Sequence, residues 1–465
     1  MIALTLGELA GIVEGRLAPG TDPDAVLRAP AFFDTREPVP GGLFAAFDGA
    51  STDGHGYAAA AIGAGAVAML GSRDVGVPAV LVPDVQAALG KLAREVLRRR
   101  LPDAIVIALT GSSGKTSTKD MLGQVLATHG RTVFTQGSLN NELGLPVTVL
   151  RADEDTRYLV LEMGAAGIGH IKLLCDIAPP EIGLVLNVGT AHVGRFGSKQ
   201  QTAQAKGELI EALPRDGVAV LNADDPLVLA MAQRTNAPVL TFGESPTADV
   251  RAVDVRLDDE GRASFTLVAA GVQAPVSLQF VGEHNVSNAL AAAAVCLGAE
   301  MTVPEIAAGL SGARPLSGGR MSVQRRADGV TVIDDAYNAN PESVRAGLKA
   351  LATLTRSRPE SRSWAVLGQM AELGERSAEE HDAIGRLAVR LRVDRLVAVG
   401  PEARLIHAGA SHEGSGGQES QAVADADEAI ALLRAELRPG DVVLVKASHS
   451  VGLQRVARAL LEDAR

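Results

Sequence analysis

The sequence predicts an α/β protein built from three domains. The chain has 465 residues, which is too many for a single hydrophobic core. Apolar, β-branched segments alternate with helical patterns in two stretches, as in parallel sheets that carry helices on both faces. A segment rich in Gly, Pro and Ser, 312–319, separates the two stretches. We therefore predict a small N-terminal α/β domain over 1–100, a central parallel-sheet domain over 101–313 and a Rossmann-like C-terminal α/β domain over 314–465.

The composition is that of a globular protein. The formal net charge is −11, which argues against nonspecific binding to nucleic acid or to an anionic membrane. No apolar run approaches the roughly 20 residues of a membrane-spanning helix. The two cysteines, Cys175 and Cys296, lie in apolar segments, which favours buried thiols in a reducing compartment. We expect a cytoplasmic protein without nucleic-acid or membrane partners.

The first predicted boundary follows an amphipathic helix. The pattern over 85–100 predicts a helix with a basic end, and Pro102 stops it. Four apolar segments predict parallel strands of the central domain: 105–109, 158–162, 182–187 and 218–222. Three shorter, partly alternating segments predict an appended antiparallel sheet: 250–257, 264–268 and 276–280. Helices are predicted over 286–297 and 303–310.

The last third of the chain repeats the alternation of strands and helices. The predicted strands of the C-terminal domain are 330–334, 363–367, 395–399 and 442–446. The small and polar residues of 414–418 predict a loop. A unit of about 145 residues has the usual size of an independent domain.

A glycine-rich turn follows the first central strand. The segment Thr110-Gly111-Ser112-Ser113-Gly114-Lys115-Thr116-Ser117 leads into a helical pattern, which is the layout of a nucleotide phosphate loop. Small residues let backbone N–H groups surround phosphate oxygens, and the helix N-terminus adds partial positive charge. Lys115 adds a full charge, and Thr116 offers a hydroxyl to Mg²⁺. The general pattern has glycine where this chain has Leu109.

Polar residues follow the next two strands. Glu162 ends the segment 158–162, and ligands of open α/β sheets bind at the carboxyl ends of strands. Its carboxylate is suited to hold Mg²⁺ beside a triphosphate. His192 follows 182–187, where a metal or phosphate contact and an ordinary polar residue are equally compatible with the sequence. By itself, Lys206 is typical of a surface lysine.

Three polar residues open the Ala-rich helical pattern near residue 286. His284, Asn285 and Asn288 lie about one helical turn apart, and their donors and acceptors can pair with an adenine edge. Helix capping alone explains Asn285, but it explains the whole set less readily.

Together these motifs resemble the Mur ligase family, the ATP-dependent amide ligases of peptidoglycan precursor synthesis, over nearly the whole chain. The segment 110–118 resembles that family's Thr-Gly-x-x-Gly-Lys-Thr loop, and 282–288 resembles its Gly-x-His-Asn-x-x-Asn pattern. The resemblance implies two Mg²⁺ sites and the catalytic or metal-binding residues Lys115, Thr116, Glu162, His192 and Lys206, with Lys206 carbamylated by CO₂. It implies ATP contacts at Gly111, Ser112, Ser113, Gly114, Lys115, Thr116, Ser117, His284, Asn285, Asn288, Arg320 and Asp335.

Three further segments are similar to those of the family member that adds the last amino-acid unit. They are 334–341, with the sequence Asp-Asp-Ala-Tyr-Asn-Ala-Asn-Pro, then 368–374 and 140–146. The resemblance implies UDP-N-acetylmuramoyl-tripeptide and D-alanyl-D-alanine as substrates, joined through an acyl phosphate. It implies substrate contacts at Asn140, Asn141, Tyr337, Asn338 and Asn340. The segment around Thr35 and Arg36 is similar to the family's UDP-sugar-binding domain, which implies contacts to the UDP precursor.

Two other interpretations stay open. One is another ligase of the superfamily, either the ligase that adds the third stem-peptide residue or folylpolyglutamate synthase, although the latter usually has Gly-Lys-Gly-Ser where this chain has Gly-Lys-Thr-Ser. The other is a non-catalytic nucleotide-dependent scaffold, although such a protein would have lost Lys115, Glu162 or Lys206. We expect a monomer whose C-terminal domain swings on 312–319, open without ligands and closed with them.

Overall fold

The computed structural model describes residues 2–49, 52–189, 197–356, 358, 360–417 and 419–462. These residues form an α/β protein with four β-sheets. The two sheets of the N-terminal region comprise β1 (Leu4–Thr5), β2 (Arg16–Leu17), β3 (Val26–Leu27), β4 (Leu43–Ala45), β5 (Ala68–Gly71) and β6 (Ala79–Leu81). The helices of this region are α1 (Leu6–Val13), α2 (Ala58–Gly63) and α3 (Val85–Arg100). No helix in the described ranges is both long enough and apolar enough to cross a membrane.

The central sheet has nine strands in the order β15-β14-β13-β12-β11-β10-β7-β9-β8. These strands are β7 (Ile105–Thr110), β8 (Thr132–Phe134), β9 (Tyr158–Glu162), β10 (Ile182–Val185), β11 (Val218–Asn222), β12 (Val239–Gly243), β13 (Val250–Leu257), β14 (Arg262–Ala269) and β15 (Val272–Val281). The helices are α4 (Lys115–Ala127), α5 (Gly144–Val149), α6 (His170–Ile177), α7 (Lys199–Glu211), α8 (Pro226–Leu229), α9 (His284–Gly298) and α10 (Val303–Gly312). From β13 to β8 in this spatial order, each strand pairs in parallel with its neighbour. The carboxyl ends of β7, β9 and β10 therefore lie at one edge of the sheet.

The antiparallel pairing predicted for the appended strands after residue 250 is confirmed, but these strands do not form a sheet of their own. Strand β13 pairs in parallel with β12 through Phe242 and Val250, so β13 to β15 extend the central sheet as an antiparallel edge. The alternating pattern is explained because buried and less buried side chains alternate along β14 and β15. The sequence pattern predicted antiparallel strands correctly but carried no information on the strand beside them.

The C-terminal sheet has six strands in the order β16-β17-β21-β18-β19-β20. These are β16 (Ser322–Arg325), β17 (Thr331–Asp334), β18 (Ser363–Leu367), β19 (Arg395–Val399), β20 (Ser420–Val423) and β21 (Val442–Lys446). The helices are α11 (Pro341–Arg356), α12 (Ser377–Arg390), α13 (Arg404–His412), α14 (Ala426–Glu436) and α15 (Gln454–Glu462). Two buried hydrophobic clusters pack against this sheet, which is the arrangement of a doubly wound α/β fold.

The hydrophobic core of the N-terminal region continues into the central region. Helix α3 packs on α5 and α6, and Gly90 lies so close to Ile177 that a Cβ would meet its side chain at 3.2 Å. Arg94 donates a hydrogen bond to the backbone carbonyl of Asp176. The predicted bounds of α3 are confirmed. This helix packs against the central region and so connects it to the N-terminal one.

The connection to the C-terminal sheet is fixed to helix α4. Arg314 exchanges two hydrogen bonds with the Gln124 side chain, at 2.8 and 3.0 Å. The Ser317 N–H donates to Asp120 Oδ2 at 3.0 Å, and buried Lys119 pairs with the same carboxylate at 2.7 Å. Gly319 belongs to the other side, because its carbonyl accepts the N–H of Tyr337. These contacts hold Arg314 and Ser317 against the central region and Gly319 against the C-terminal one, while the hinge over 312–319 stays a prediction.

Candidate active site

A cavity of about 820 Å³ lies between the carboxyl edge of the central sheet and the C-terminal sheet. It brings together most of the residues that the sequence singled out. These are Gly111, Ser112, Ser113, Gly114, Lys115, Thr116, Ser117, Asn140, Asn141, Glu162, Lys206, His284, Asn288, Arg320, Asp335, Tyr337, Asn338 and Asn340. Asn285 does not line the cavity, and His192 lies outside the described residues.

The phosphate loop has the strained geometry that its glycines allow. Gly114 has φ +80°, and a Cβ there would lie 2.3 Å from Asn288 Oδ1, so only glycine fits this close approach. Helix α4 begins directly afterwards at Lys115. The N–H groups of its first turn have no intrahelical acceptor and point to the helix N-terminus, which creates a site for an anion.

Lys115 is held at the mouth of this loop. Its Nζ donates to the Gly111 carbonyl at 2.7 Å. Burial lowers the pKa of Lys115, while the negative charge of Glu162 acts to raise it and Arg320 to lower it. The side chain is therefore within electrostatic range of both the loop and the C-terminal wall.

Glu162 and Thr116 lie side by side, as a shared metal site requires. The Thr116 hydroxyl donates to Glu162 Oε2 at 3.1 Å. Asn140 Nδ2 donates to the other carboxylate oxygen at 2.7 Å, and the carboxylate side chain is buried. Hydroxyl and carboxylate oxygens are the ligands that Mg²⁺ prefers, so this pair fits the ion. Asn140, whose predicted contact with substrate stays a prediction, lines the cavity and orients this carboxylate.

Lys206 is a buried amine on helix α7. Its exposed fraction is 3%, and its side chain has no hydrogen bond or ion pair within the part of the chain that the structure describes. Lys119 and Lys446 are equally buried, but each pairs with an aspartate, Asp120 and Asp335 respectively. Burial, and then the charge of Lys115, lowers the pKa of Lys206 well below its usual range. A neutral amine facing the cavity is the form that reacts with CO₂.

The predicted adenine residues divide into two roles. His284 and Asn288 line the cavity, and burial lowers the pKa of His284, which favours the neutral imidazole. Asn285 lies behind them. Its Nδ2 donates to the Val281 carbonyl at 2.9 Å, and its Oδ1 accepts from Asn288 Nδ2 at 2.9 Å. Asn285 thus orients Asn288 rather than lining the cavity.

The C-terminal wall is organised around Asp335. This carboxylate accepts from the Met321 N–H at 3.1 Å and from Lys446 Nζ at 2.6 Å. The Arg320 guanidinium, next in sequence to Met321, lies 4.2 Å from the centre of the Tyr337 ring. Asp335 therefore sets the position of Arg320 through the backbone.

One side-chain bond joins the C-terminal wall to the phosphate loop. Asn340 Nδ2 donates to the Ser112 carbonyl at 3.3 Å. Asn340 also caps helix α11 by accepting the Ser343 N–H at 2.8 Å. The start of α11 thus lies against the loop.

Sequence reasoning missed several residues of the cavity. They are Asn187, His170, Ser287, Glu342, Glu372, Lys446, Ser448 and His449. Lys446 ends β21 and Asn187 comes two residues after β10, so the rule that ligands bind at strand carboxyl ends gave a signal for both. His170, at the start of α6, pairs with Glu142 at 2.7 Å, a contact between distant segments that no local pattern indicates.

The two predicted contacts to a UDP precursor do not line the cavity. Thr35 and Arg36 belong to the N-terminal region, and the Arg36 side chain is 88% exposed. Its guanidinium pairs with Asp34 at 2.6 Å, which lowers the pKa of that carboxyl to about 2.

Two family models match parts of this chain. Residues 109–296 match the family model of the Mur ligase middle domain, and 319–449 match that of the Mur ligase, glutamate ligase domain. A protein of Mycobacterium tuberculosis called UDP-N-acetylmuramoyl-tripeptide–D-alanyl-D-alanine ligase is 52% identical, covering 100% of this chain and 98% of that protein. The Escherichia coli protein of the same name is 37% identical, covering 100% and 99%.

Solved structures give the same result. A crystal structure of MurF from Acinetobacter baumannii is similar with a TM-score of 0.87 and 31% identity, covering 99% of both chains. MurF ligase from Thermotoga maritima in complex with ADP has a TM-score of 0.79 and 31% identity, covering 94% of this chain and 98% of that one. With matches of this length and identity, the chain belongs to the Mur ligase family.

Proposed function

We propose that this chain joins D-alanyl-D-alanine to UDP-N-acetylmuramoyl-tripeptide in an ATP-dependent amide ligation of peptidoglycan precursor synthesis. The observation that carries the proposal is the full-length identity of 52% to a ligase of that name. The cavity supports it, because the C-terminal sheet faces three features of the central region across it. These are the phosphate loop, the Thr116–Glu162 pair that fits a metal ion, and the buried Lys206.

The proposed reaction overcomes the poor reactivity of a carboxylate. An oxygen of the tripeptide's terminal carboxylate attacks the γ-phosphorus of ATP, the bond to the β-phosphate oxygen breaks, and ADP leaves. The neutral amine of D-alanyl-D-alanine then attacks the acyl carbon, a C–N bond forms, phosphate leaves and the nitrogen loses a proton. The protein's part is positioning and neutralising charge.

The residues of the cavity divide this work. Lys115 and the first-turn N–H groups of α4 hold the phosphates, while His284 and Asn288 contact the adenine. Thr116 and Glu162 hold one Mg²⁺, and His192 and a carbamylated Lys206 hold a second. Mg²⁺ at these residues would neutralise phosphate charge and so lessen the repulsion between the tripeptide carboxylate and the phosphate. Arg320 adds positive charge from the C-terminal wall.

The proposed division of the chain follows the substrates. Residues 1–100 bind the UDP precursor, with Thr35 and Arg36 among the contacts, 101–313 bind ATP, and 314–465 bind the dipeptide through Tyr337 and Asn338. Asn141 contacts the tripeptide. We propose that the protein acts as a monomer in the cytoplasm, and sedimentation of the purified protein tests the first of these statements.

The choice of acceptor tests the function directly. With ATP, Mg²⁺ and UDP-N-acetylmuramoyl-tripeptide, D-alanyl-D-alanine should give the pentapeptide, detected by mass. Free diaminopimelate or lysine, offered with the dipeptide precursor, should give at least about 100-fold less product, since a site built for one acceptor leaves its polar groups unpaired with another. Comparable turnover with a free diamino acid would instead favour the ligase that adds the third residue.

Domain movement provides a second expected result. An ATP analogue together with UDP-N-acetylmuramoyl-tripeptide should reduce the radius of gyration measured by small-angle scattering, because an acyl phosphate has to be shielded from water. The movement should pivot within 312–319. An unchanged radius at saturating ligands would remove the case for a closing movement.

A further inference from the structure

The phosphate loop is held from one side by a residue to which the proposed reaction gives no role. Asn187 follows β10, is half-buried and lines the cavity. Its Oδ1 accepts hydrogen bonds from the N–H groups of Ser112 and Ser113, both at 3.0 Å, and the Ser112 N–H is shared with the backbone carbonyl of Asn187 at 3.2 Å. Its Nδ2 donates to the Ser113 carbonyl at 3.2 Å. One side chain therefore ties both serines at the tip of the loop.

The strand pairing explains why Asn187 can reach the loop. Strand β10 pairs with β7, the strand that leads into the loop, and the Leu186 N–H donates to the Thr110 carbonyl at 3.0 Å. The two chain segments then stay in contact, since a Cβ on Gly111 would lie 2.8 Å from the Leu186 Cβ. An asparagine immediately after this contact is within hydrogen-bond reach of the next two loop residues.

A second hydrogen bond joins the same turn to the segment that follows β10. The Ser112 hydroxyl accepts the N–H of Gly189 at 2.9 Å. Ser112 is 6% exposed, so its N–H and hydroxyl are both used inside the protein. The loop is thus fixed by the segment that follows β10, independently of anything in the cavity.

These contacts divide the loop's N–H groups into two sets. Those of Ser112 and Ser113 are already bonded to Asn187. The first helical bond of α4 is donated by Thr118 to the Gly114 carbonyl at 2.9 Å. The N–H groups of 114–117 precede that bond and have no acceptor in the helix, so they remain for an anion.

We infer that Asn187 is a positioning residue that pre-forms the phosphate loop and reserves the N–H groups of 114–117 for the nucleotide phosphates. This inference rests on the proposed use of ATP. A loop fixed before binding does not have to be ordered by the ligand, which strengthens binding. An uncharged amide suits the task, because aspartate would lose the bond to the Ser113 carbonyl and add negative charge beside the phosphates.

Direct measurement of ATP binding by calorimetry tests the inference separately from ligation. Asn187→Ala should weaken ATP binding by roughly tenfold, which corresponds to about 1.4 kcal/mol, and Asn187→Asp should weaken it further.

Asn222→Ala is the matched control. Asn222 ends the neighbouring strand β11, and both polar atoms of its side-chain amide are hydrogen-bonded. Its Nδ2 donates to the Leu186 carbonyl at 2.8 Å, and its Oδ1 accepts the Asp224 N–H at 2.9 Å. It does not line the cavity, so its loss should change the ATP affinity less than about twofold.

Each outcome decides a different statement. An affinity within twofold of wild type in a folded Asn187→Ala variant, or an equal loss in Asn222→Ala, overturns the inference. Failure of the wild-type protein to bind ATP overturns the proposed function instead.

If Asn187→Ala does not fold, hydrogen exchange on the wild-type protein decides. The N–H group of Ser113, which donates to the Asn187 side chain, should be protected with and without nucleotide, whereas those of 114–117 should gain protection only with it. Protection of Ser113 that appears only with nucleotide overturns the inference.

Discussion

Replacing Lys115 by alanine is expected to lower turnover by roughly 10³-fold while leaving the chain folded. The side chain is half-buried at the start of α4 and makes one hydrogen bond, to the Gly111 carbonyl. It contributes little to the packed core, so its removal should not unfold the protein. In the proposed reaction, its charge lies where the transferred phosphoryl group gains negative charge.

Steady-state turnover measured alongside a thermal melt checks this prediction. Lys172→Ala is the matched control, because Lys172 is also on a central helix but is exposed and pairs only with Asp176. The control should keep full turnover. Near-normal activity in a folded Lys115→Ala variant would show that the glycine loop is a structural turn and would remove the basis of the phosphate assignment.

Lys206→Ala is expected to be nearly inactive, with partial recovery on adding acetate or another short carboxylate. A buried lysine whose side chain has no partner among the described residues, and whose pKa is well below its usual range, is neutral enough to attack CO₂. The Nζ–carbon bond that forms, with loss of a proton, converts the neutral amine into an anionic metal ligand. A small carboxylate can occupy the space and supply the same charge.

The rescue has a control within the same cavity. Acetate should not restore Lys115→Ala, because an anion cannot replace a cation at the phosphates. In the wild-type protein, ¹³C-labelled CO₂ should give a carbamate signal that is absent from Lys206→Ala. Full activity of Lys206→Ala would refute a catalytic role for this residue. Acidification should remove the carbamate signal, since protonation of the amine withdraws the nucleophile.

The two lysines differ in what surrounds them, and that difference determines their expected chemistry. Lys115 donates to a carbonyl, and although burial lowers its pKa, the charge of the nearby Glu162 carboxylate acts against that shift. Lys206 has Lys115 as its main charged neighbour, and this like charge adds to the effect of burial. The first residue is thus suited to remain a cation and the second to become a carbamate.

The linear sequence was sufficient for the fold class and for most local elements. The predicted strands 158–162, 218–222, 363–367, 395–399 and 442–446 have the same bounds in the structure. Buried parallel strands are continuous apolar runs, so hydrophobic patterning marks their ends clearly. The phosphate loop was equally visible, because its glycines and Gly-Lys-Thr lie together in the chain.

The tertiary structure decided which side chains share a site and in what role. Asn140 orients Glu162 and Asn285 supports Asn288, although both residues looked like ligand contacts in the sequence. Asn187 reaches the phosphate loop because β10 and β7 are neighbours, a pairing that links residues about 75 positions apart. Periodicity and motif spacing describe only local geometry, whereas strand order and buried hydrogen bonds depend on how distant segments pack.

The same distinction applies to the connection between the two large sheets. Its Gly, Pro and Ser content correctly indicated a break in regular structure, but composition alone made all of 312–319 look free to move. Packing against α4 removes most of that freedom, since Gln124 and Asp120 bond to Arg314 and Ser317. The sequence thus determined where regular structure ends. Only the tertiary contacts decided which residues of that segment are held in place, because the conformational freedom of a residue depends on the partners that pack against it.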